Sequence, residues 1–130
     1  ADIKLIVANH HPPFELGLPF MDRIMLADSE ALWEVLQKRK PDLCIFGHVH
    51  RPISGVWRGI PFHTQRGFNH QVALDFVGKT DPMFTDECPD IALIGNTNDS
   101  ILAFTRSVGG ELRSYRAGEE NRQNPALAAE

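Results

Sequence analysis

The stretch Pro41-Asp42-Leu43-Cys44-Ile45-Phe46-Gly47-His48-Val49-His50 decides the fold. Leu43 to Phe46 are four consecutive apolar residues. Such a run, without polar alternation, reads as a strand buried on both faces. Gly47 ends it and leaves room beside the His48-Val49-His50 triplet. Working outward, Ser29 to Lys40 reads as a helix. Asp28 or Ser29 is placed to cap it, and Glu30 sits in the first turn. Leu32, Val35 and Leu36, with Ala31 beside them, form one apolar face. Lys38, Arg39 and Lys40 fill the last turn, and Pro41 stops it. Further back, Ile3 to Ala8 is a second apolar run, also expected to be buried on both faces, stopped by His10-His11-Pro12-Pro13. Strand, crossover helix and strand make a βαβ unit whose two strands are parallel neighbours or near-neighbours. The connection Phe14 to Ala27, with Gly17 and Pro19, is long and is expected to serve as a lid or binding loop.

After Pro52 the pattern changes. Val56-Trp57, Ile60 to Thr64, Val72 to Val77 and Ile91 to Ile94 read as short strands. Gly95 to Asp99 is an Asn-rich turn by its chemistry. Ile101 to Val108 and Glu111 to Arg116 flank Gly109-Gly110 and predict a hairpin. The fold class is therefore α/β: one βαβ unit followed by mostly antiparallel strands. Residues 1–117 are expected to form the folded part and 118–130 a tail.

Composition narrows the class. The chain has 130 residues, 13 Lys and Arg against 17 Asp and Glu, a net charge of -4 and 42% apolar residues. That length suits one domain, and the apolar fraction is too high for disorder. The acidic balance argues against a partner of polymeric nucleic acid. No apolar run reaches a membrane span. Two cysteines, Cys44 and Cys88, make no disulfide scaffold and favour a reduced, cytoplasmic setting. Cys44 lies inside an apolar strand and reads as packing. The chain lacks an initiator Met and enters its first strand almost at once, so a fragment is expected.

The six histidines carry the chemistry: His10, His11, His48, His50, His63 and His70. Parallel strands joined by one crossover end on the same edge of the sheet, the edge where open α/β sheets bind ligands. His10 is therefore expected near His48. In extended backbone His48 and His50 point the same way across Val49. Three converging imidazoles make a site for a borderline transition metal. His11 fits a supporting residue or a cover for the loop equally well, and His63 and His70 alone read as solvated or hydrogen-bonded side chains.

These residues resemble the calcineurin-like metallophosphoesterases, specifically the branch of class III cyclic-nucleotide phosphodiesterases and glycerophosphodiesterases. The matching stretches are Val7-Ala8-Asn9-His10-His11-Pro12-Pro13, Met21-Asp22 and Phe46-Gly47-His48-Val49-His50. Gly59-Ile60-Pro61, His70-Gln71 and Asp81-Pro82 match more weakly. The resemblance spans Ile3 to about Arg116. It implies the C-terminal half of a four-layer α/β/β/α sandwich that hydrolyses phosphodiesters by a hydroxide bridging two divalent metals, Mn, Fe or Zn. By resemblance His10 and His48 bind one metal and His50 the other. His11 stands beside the site, and His70 lies near the substrate entrance. The implied substrate is a cyclic nucleotide or a glycerophosphodiester.

The family's Asp-x-His, Gly-Asp and Gly-Asn-His-Asp motifs, which come earlier in the chain, do not precede Ile3. Gly95-Asn96-Thr97-Asn98-Asp99 echoes the last of these but carries no His and sits in a turn. With only the C-terminal ligands, the isolated chain is expected to be inactive and to hold at most one metal. Uncovered strand edges lead to the expectation of a homo-oligomer. Two other readings stand beside this one. One is a non-catalytic folding or oligomerisation module with vestigial histidines. The other is a mononuclear zinc hydrolase with three histidine ligands, using His11 or Asp22 as acid or base.

Overall fold

Each apolar run of the N-terminal half becomes a strand, and the crossover lays them side by side. The computed structural model describes residues 3–78 and 81–109. β1 (Ile6–Asn9) leads through α1 (Pro19–Asp22) and α2 (Ser29–Leu36) to β2 (Leu43–Phe46). β3 (Ser54–Trp57) and β4 (Ile60–Thr64) complete a four-stranded sheet of order β1-β2-β4-β3. β1 and β2 are parallel, with Val7 opposite Cys44 and Asn9 opposite Phe46. β2 and β4 are also parallel, and β3 returns antiparallel to β4. Two antiparallel pairs follow, β5 (Gln71–Val72) with β6 (Phe84–Thr85) and β7 (Asp90–Asn96) with β8 (Ile101–Ser107). The arrangement is α/β with antiparallel additions.

Pairing register fixes which residues share a face. Val7, Cys44, Phe46, Phe62 and Trp57 point to one side, where Leu32, Trp33 and Leu36 of α2 cover them. Phe46, Ile60 and Cys44 are fully enclosed there, and Phe14 stacks on Trp57 at 5.2 Å between ring centroids. Burial raises the Cys44 thiol pKa, as expected for a packing residue. The opposite side carries Ile6, Ala8, Ile45 and Val56. Val56 is 70% exposed and Ile6 40%.

That openness corrects the expectation that the first strand is buried on both faces. Among the described residues β1 is an edge strand with alternating exposure, because only β2 flanks it there and α2 packs on one side. The helix also stops earlier than its sequence suggests. It ends at Leu36, and Asp28 makes no side-chain cap bond. Arg39 instead donates to the Ile3 carbonyl at 3.1 Å, and Lys40 to the Arg58 carbonyl at 3.0 Å. These bonds draw the last predicted turn out of the helix and onto the sheet's connections. Of the expected strand Val72 to Val77, just Val72 is in a strand, paired in Gln71–Val72, and Phe76 and Val77 are exposed. The Asn-rich turn is shorter than expected: Gly95 and Asn96 belong to β7, and the turn closes between Thr97 and Ser100 at 2.9 Å. The Gly109-Gly110 hairpin, the strand 111–116 and the tail lie outside the described residues.

Two polar anchors hold the periphery. The Phe14–Ala27 connection is pinned by the Leu16 amide on the Asp22 carboxylate at 2.7 Å and by Leu18 and Met21, which pack with Val49 and Val72. The β7–β8 hairpin is tied by Asp90, which is 1% exposed and accepts from Arg66 at 2.9 Å and Ser107 at 2.6 Å. Glu87 takes Arg51 and Arg66 together, and Arg51, with Arg66 beside it, holds its carboxyl below the ordinary value of 4.5.

Candidate metal centre

The site grows from the carboxyl ends of β1 and β2. The Gly47 amide donates to the His10 carbonyl at 3.0 Å, so the two strand exits are clipped together just where His10 and His48 leave them. A Cβ on residue 47 would stand 3.2 Å from His10 Nδ1. Glycine there lets the His10 ring lie over the end of β2.

Past Gly47 the backbone is not extended. His48 has φ 65° and His50 φ 51°, and the Val49 amide donates to the Gly47 carbonyl at 2.7 Å. A non-glycine residue in this region is uncommon and is held by its surroundings. Val49, 1% exposed among Leu18, Met21 and Val72, supplies the hold. This overturns the argument that His48 and His50 share a direction by strand alternation, because β2 has already ended at Phe46.

The structure gathers His10, His11 and His48. Ring centroids stand 5.3 Å apart for His10 and His48, 4.8 Å for His10 and His11, and 4.1 Å for His11 and His48. One ring nitrogen or more from each lies within 4.8 Å of the others. Imidazole nitrogens sharing one tetrahedral zinc ion stand about 3.4 Å apart, so the rings of the trio must draw together by up to about 1.4 Å to share one. His48 Nε2 is buried without a hydrogen-bond partner. A buried imidazole nitrogen with no partner, faced by two further imidazoles, fits a soft or borderline cation. Burial, then the neighbouring His11, His10 and His50, lower the His48 pKa from 6.5, which keeps it neutral and able to ligate at neutral pH. Among the described residues this cluster includes no carboxylate. Asp22 is engaged with Leu16 and Asp90 with Arg66 and Ser107.

His50 sits apart from the trio, beside His70, with ring centroids 4.3 Å apart. Its Nδ1 donates to the His70 carbonyl at 2.7 Å, which leaves Nε2 as the lone-pair nitrogen. A backbone carbonyl on one ring nitrogen is how ligating histidines are commonly oriented. His63 is a satisfied interior side chain, 6% exposed, between Ser54 at 2.8 Å and Gln65 at 2.9 Å. The sequence reading undervalued His11. The signal available was the adjacency of His11 to His10 at the strand's exit, where the chain bends and the two rings meet at 4.8 Å. It also missed Gly67, where a Cβ would meet the His50 ring at 2.7 Å. An open cleft of about 530 Å³, bordered by Ala8, His10, Ile45, Gly47 and Gln65, leads to the His10 side of the trio.

No protein-family model matches the sequence. Curated proteins do. Over 103 residues, 78% of this chain, it is 52% identical to a protein named "Probable cyclic nucleotide phosphodiesterase" from Rhodopseudomonas palustris, covering 38% of that protein. Over 94 residues it is 34% identical to a "Probable glycerophosphodiester phosphodiesterase" from Arcobacter nitrofigilis, 71% of this chain and 34% of the relative. A "Probable cyclic nucleotide phosphodiesterase" from Synechococcus matches at 43% identity over 54 residues, 40% of this chain and 20% of that protein. The chain is homologous to bacterial phosphodiesterases. It spans less than two-fifths of the length of these relatives. Among the described residues no helix is long and apolar enough to cross a membrane.

Proposed function

We propose that this chain is the histidine-bearing part of a metal-dependent phosphodiesterase acting on a cyclic nucleotide or a glycerophosphodiester. The observation that carries this is the unpartnered, buried Nε2 of His48 facing His10 and His11 at the end of a parallel strand pair. The phosphodiesterase names of the relatives support the reaction class. In this reading His10 and His48 hold one cation and His11 supports them, while His50, oriented through its Nδ1, serves a second, and His70 stands toward the substrate. Divalent cations, when bound, supply charge to neutralise the phosphoryl oxygens and acidify the attacking water. The chain's own contribution is positional. Gly47 brings the His10 ring close, Val49 locks the turn that aims His48, and α2 keeps the strand pair rigid beneath them.

The uncovered face of Ile6, Ala8, Ile45 and Val56 supports a second sheet packed there, as in a four-layer sandwich. Residues 1–117 would form the C-terminal half of that domain, with 118–130 as its tail. Carboxylates for a dinuclear site would come from the length of the relatives that this chain does not span. The exposed apolar side chains of the β7–β8 hairpin, Leu93, Leu102 and Phe104, support self-association. A cytoplasmic setting is part of the same reading, supported by the unpaired thiols of Cys44 and Cys88.

A second reading, a mononuclear hydrolase with three histidine ligands, draws on the composition of the trio itself. Zinc titration and turnover of bis(p-nitrophenyl) phosphate separate the two. We expect at most one zinc per chain and negligible hydrolysis by these 130 residues. Turnover by the chain alone favours the mononuclear enzyme. Absence of zinc binding overturns both and leaves a non-catalytic module.

A further inference from the structure

Beyond the histidine trio, one group of rings remains unexplained by metal binding. Phe84 is 62% exposed on a two-residue strand, although its partner across the pair, Val72, is buried. The His70 ring meets it at 4.9 Å and 88°, so the two rings form a right-angled corner. The other neighbour of His70 is His50, tilted at 35°. His50 in turn follows His48 by two residues, in the turn that Val49 locks. The corner is thus linked to the trio through His50.

The corner is also held in place. Gln71, 2% exposed, clamps Gly67 from both sides: its amide donates to the Gly67 carbonyl at 2.5 Å and its oxygen accepts the Gly67 amide at 3.1 Å. The His70 carbonyl takes His50 Nδ1, and Asn69 reaches His70 Nδ1 at 3.3 Å. A preorganised aromatic corner loses little conformational freedom on binding.

We propose that His70 and Phe84 form a platform for the planar base of a nucleotide phosphodiester whose phosphate sits at the trio. This rests on the function proposed above and narrows its substrate class. A planar heterocycle stacks on one wall of the corner and meets the other edge-on, the two arrangements aromatic rings prefer. Stacking is indifferent to base identity because every base offers a π-face. A glycerol headgroup has none. The platform therefore favours nucleotide diesters over aliphatic ones without selecting among bases.

The test uses the protein loaded with Co²⁺, whose paramagnetism broadens the ³¹P resonance of a bound phosphate. Affinities are measured for 3′,5′-cyclic AMP and for dimethyl phosphate, a diester without a ring. We expect the nucleotide to bind about tenfold more tightly or better, in line with the worth of one stacked base. Phe84→Leu keeps the apolar bulk and removes the ring, and should collapse that ratio toward one. Phe84→Trp should restore it. Far-UV circular dichroism confirms that the variants fold. Equal affinity for both ligands in the wild type overturns the inference, as does a ratio unmoved by Phe84→Leu. If Phe84→Leu alters only the oligomeric state by light scattering, a second copy occupies the corner and the inference also falls. Failure of Co²⁺ to broaden either phosphate overturns the proposed function itself, an outcome distinct from broadening without ring preference.

Discussion

Replacing Gly67 by alanine tests whether the His50–His70 corner is built by close approach of the backbone. A Cβ at this position would stand 2.7 Å from His50 Nδ1, 2.8 Å from its Cε1 and 3.1 Å from the His70 carbonyl oxygen. Ordinary contact begins at 3.4 Å, so the ring must retreat by 3.4 − 2.7, about 0.7 Å. Its 2.7 Å bond to the His70 carbonyl does not survive such a move. Overpacking of this kind costs about 1–3 kcal/mol. The lost hydrogen bond adds about 1 kcal/mol. The sum, about 2–4 kcal/mol, lowers the melting temperature by about 8 °C or more for a domain of this size. Thermal melting by circular dichroism reads the first effect, and the His50 imidazole resonance by NMR reads the displacement. Gly17→Ala is the control. Its φ is 74° and nothing lies within 4 Å, so it carries backbone strain alone, about 1–2 kcal/mol, and leaves His50 undisturbed. A Gly67→Ala protein that melts within about 2 °C of wild type, with an unmoved His50 resonance, refutes the reasoning.

Four further outcomes follow from the same geometry. Ile60→Ala empties a fully enclosed site among Phe46, Phe62 and Leu36, so urea denaturation should show a loss of about 2–5 kcal/mol with an unchanged slope. His48→Ala should weaken zinc binding by about 100-fold or more in calorimetric titration, at or beyond what losing an outer partner costs. His63→Ala instead lowers stability by about 1–3 kcal/mol, since it strands Ser54 and Gln65, and leaves the zinc stoichiometry intact. The Glu87 carboxyl is held below 4.5 chiefly by Arg51, so its contribution to stability is present above that value and fades as pH falls through its lower folded value. Denaturation midpoints should fall with acid below pH 4.5, and Glu87→Gln should flatten that decline.

The parts that sequence made legible are those governed by local pattern. Leu43 to Phe46 became a central strand because it is paired along both edges and covered by α2 on one face, whereas Ile6 and Ala8, apolar but at the rim, are half uncovered. Strand count and order of neighbours depend on what lies beyond the run, which periodicity does not encode. His10 and His48 met because one crossover brings two exits to the same rim. His50 did not join them, because two left-handed residues after Gly47 replaced the pleat on which the alternation rule depends. Such turns are set by Val49 seeking its apolar niche, a tertiary cause. The helix end was misjudged for a similar reason, since Arg39 and Lys40 found carbonyls across the sheet that outcompeted a last turn.

The single amide-to-carbonyl link from Gly47 to His10 couples chemistry to folding order. A one-residue slip of β1 against β2 would turn every side chain of the slipped strand to the wrong side and carry His10 away from His48. The histidine trio therefore exists in one alignment of the two strands and no other. Uptake of a coloured or paramagnetic ion by this protein during refolding would act as a clock, starting only when that alignment has been reached.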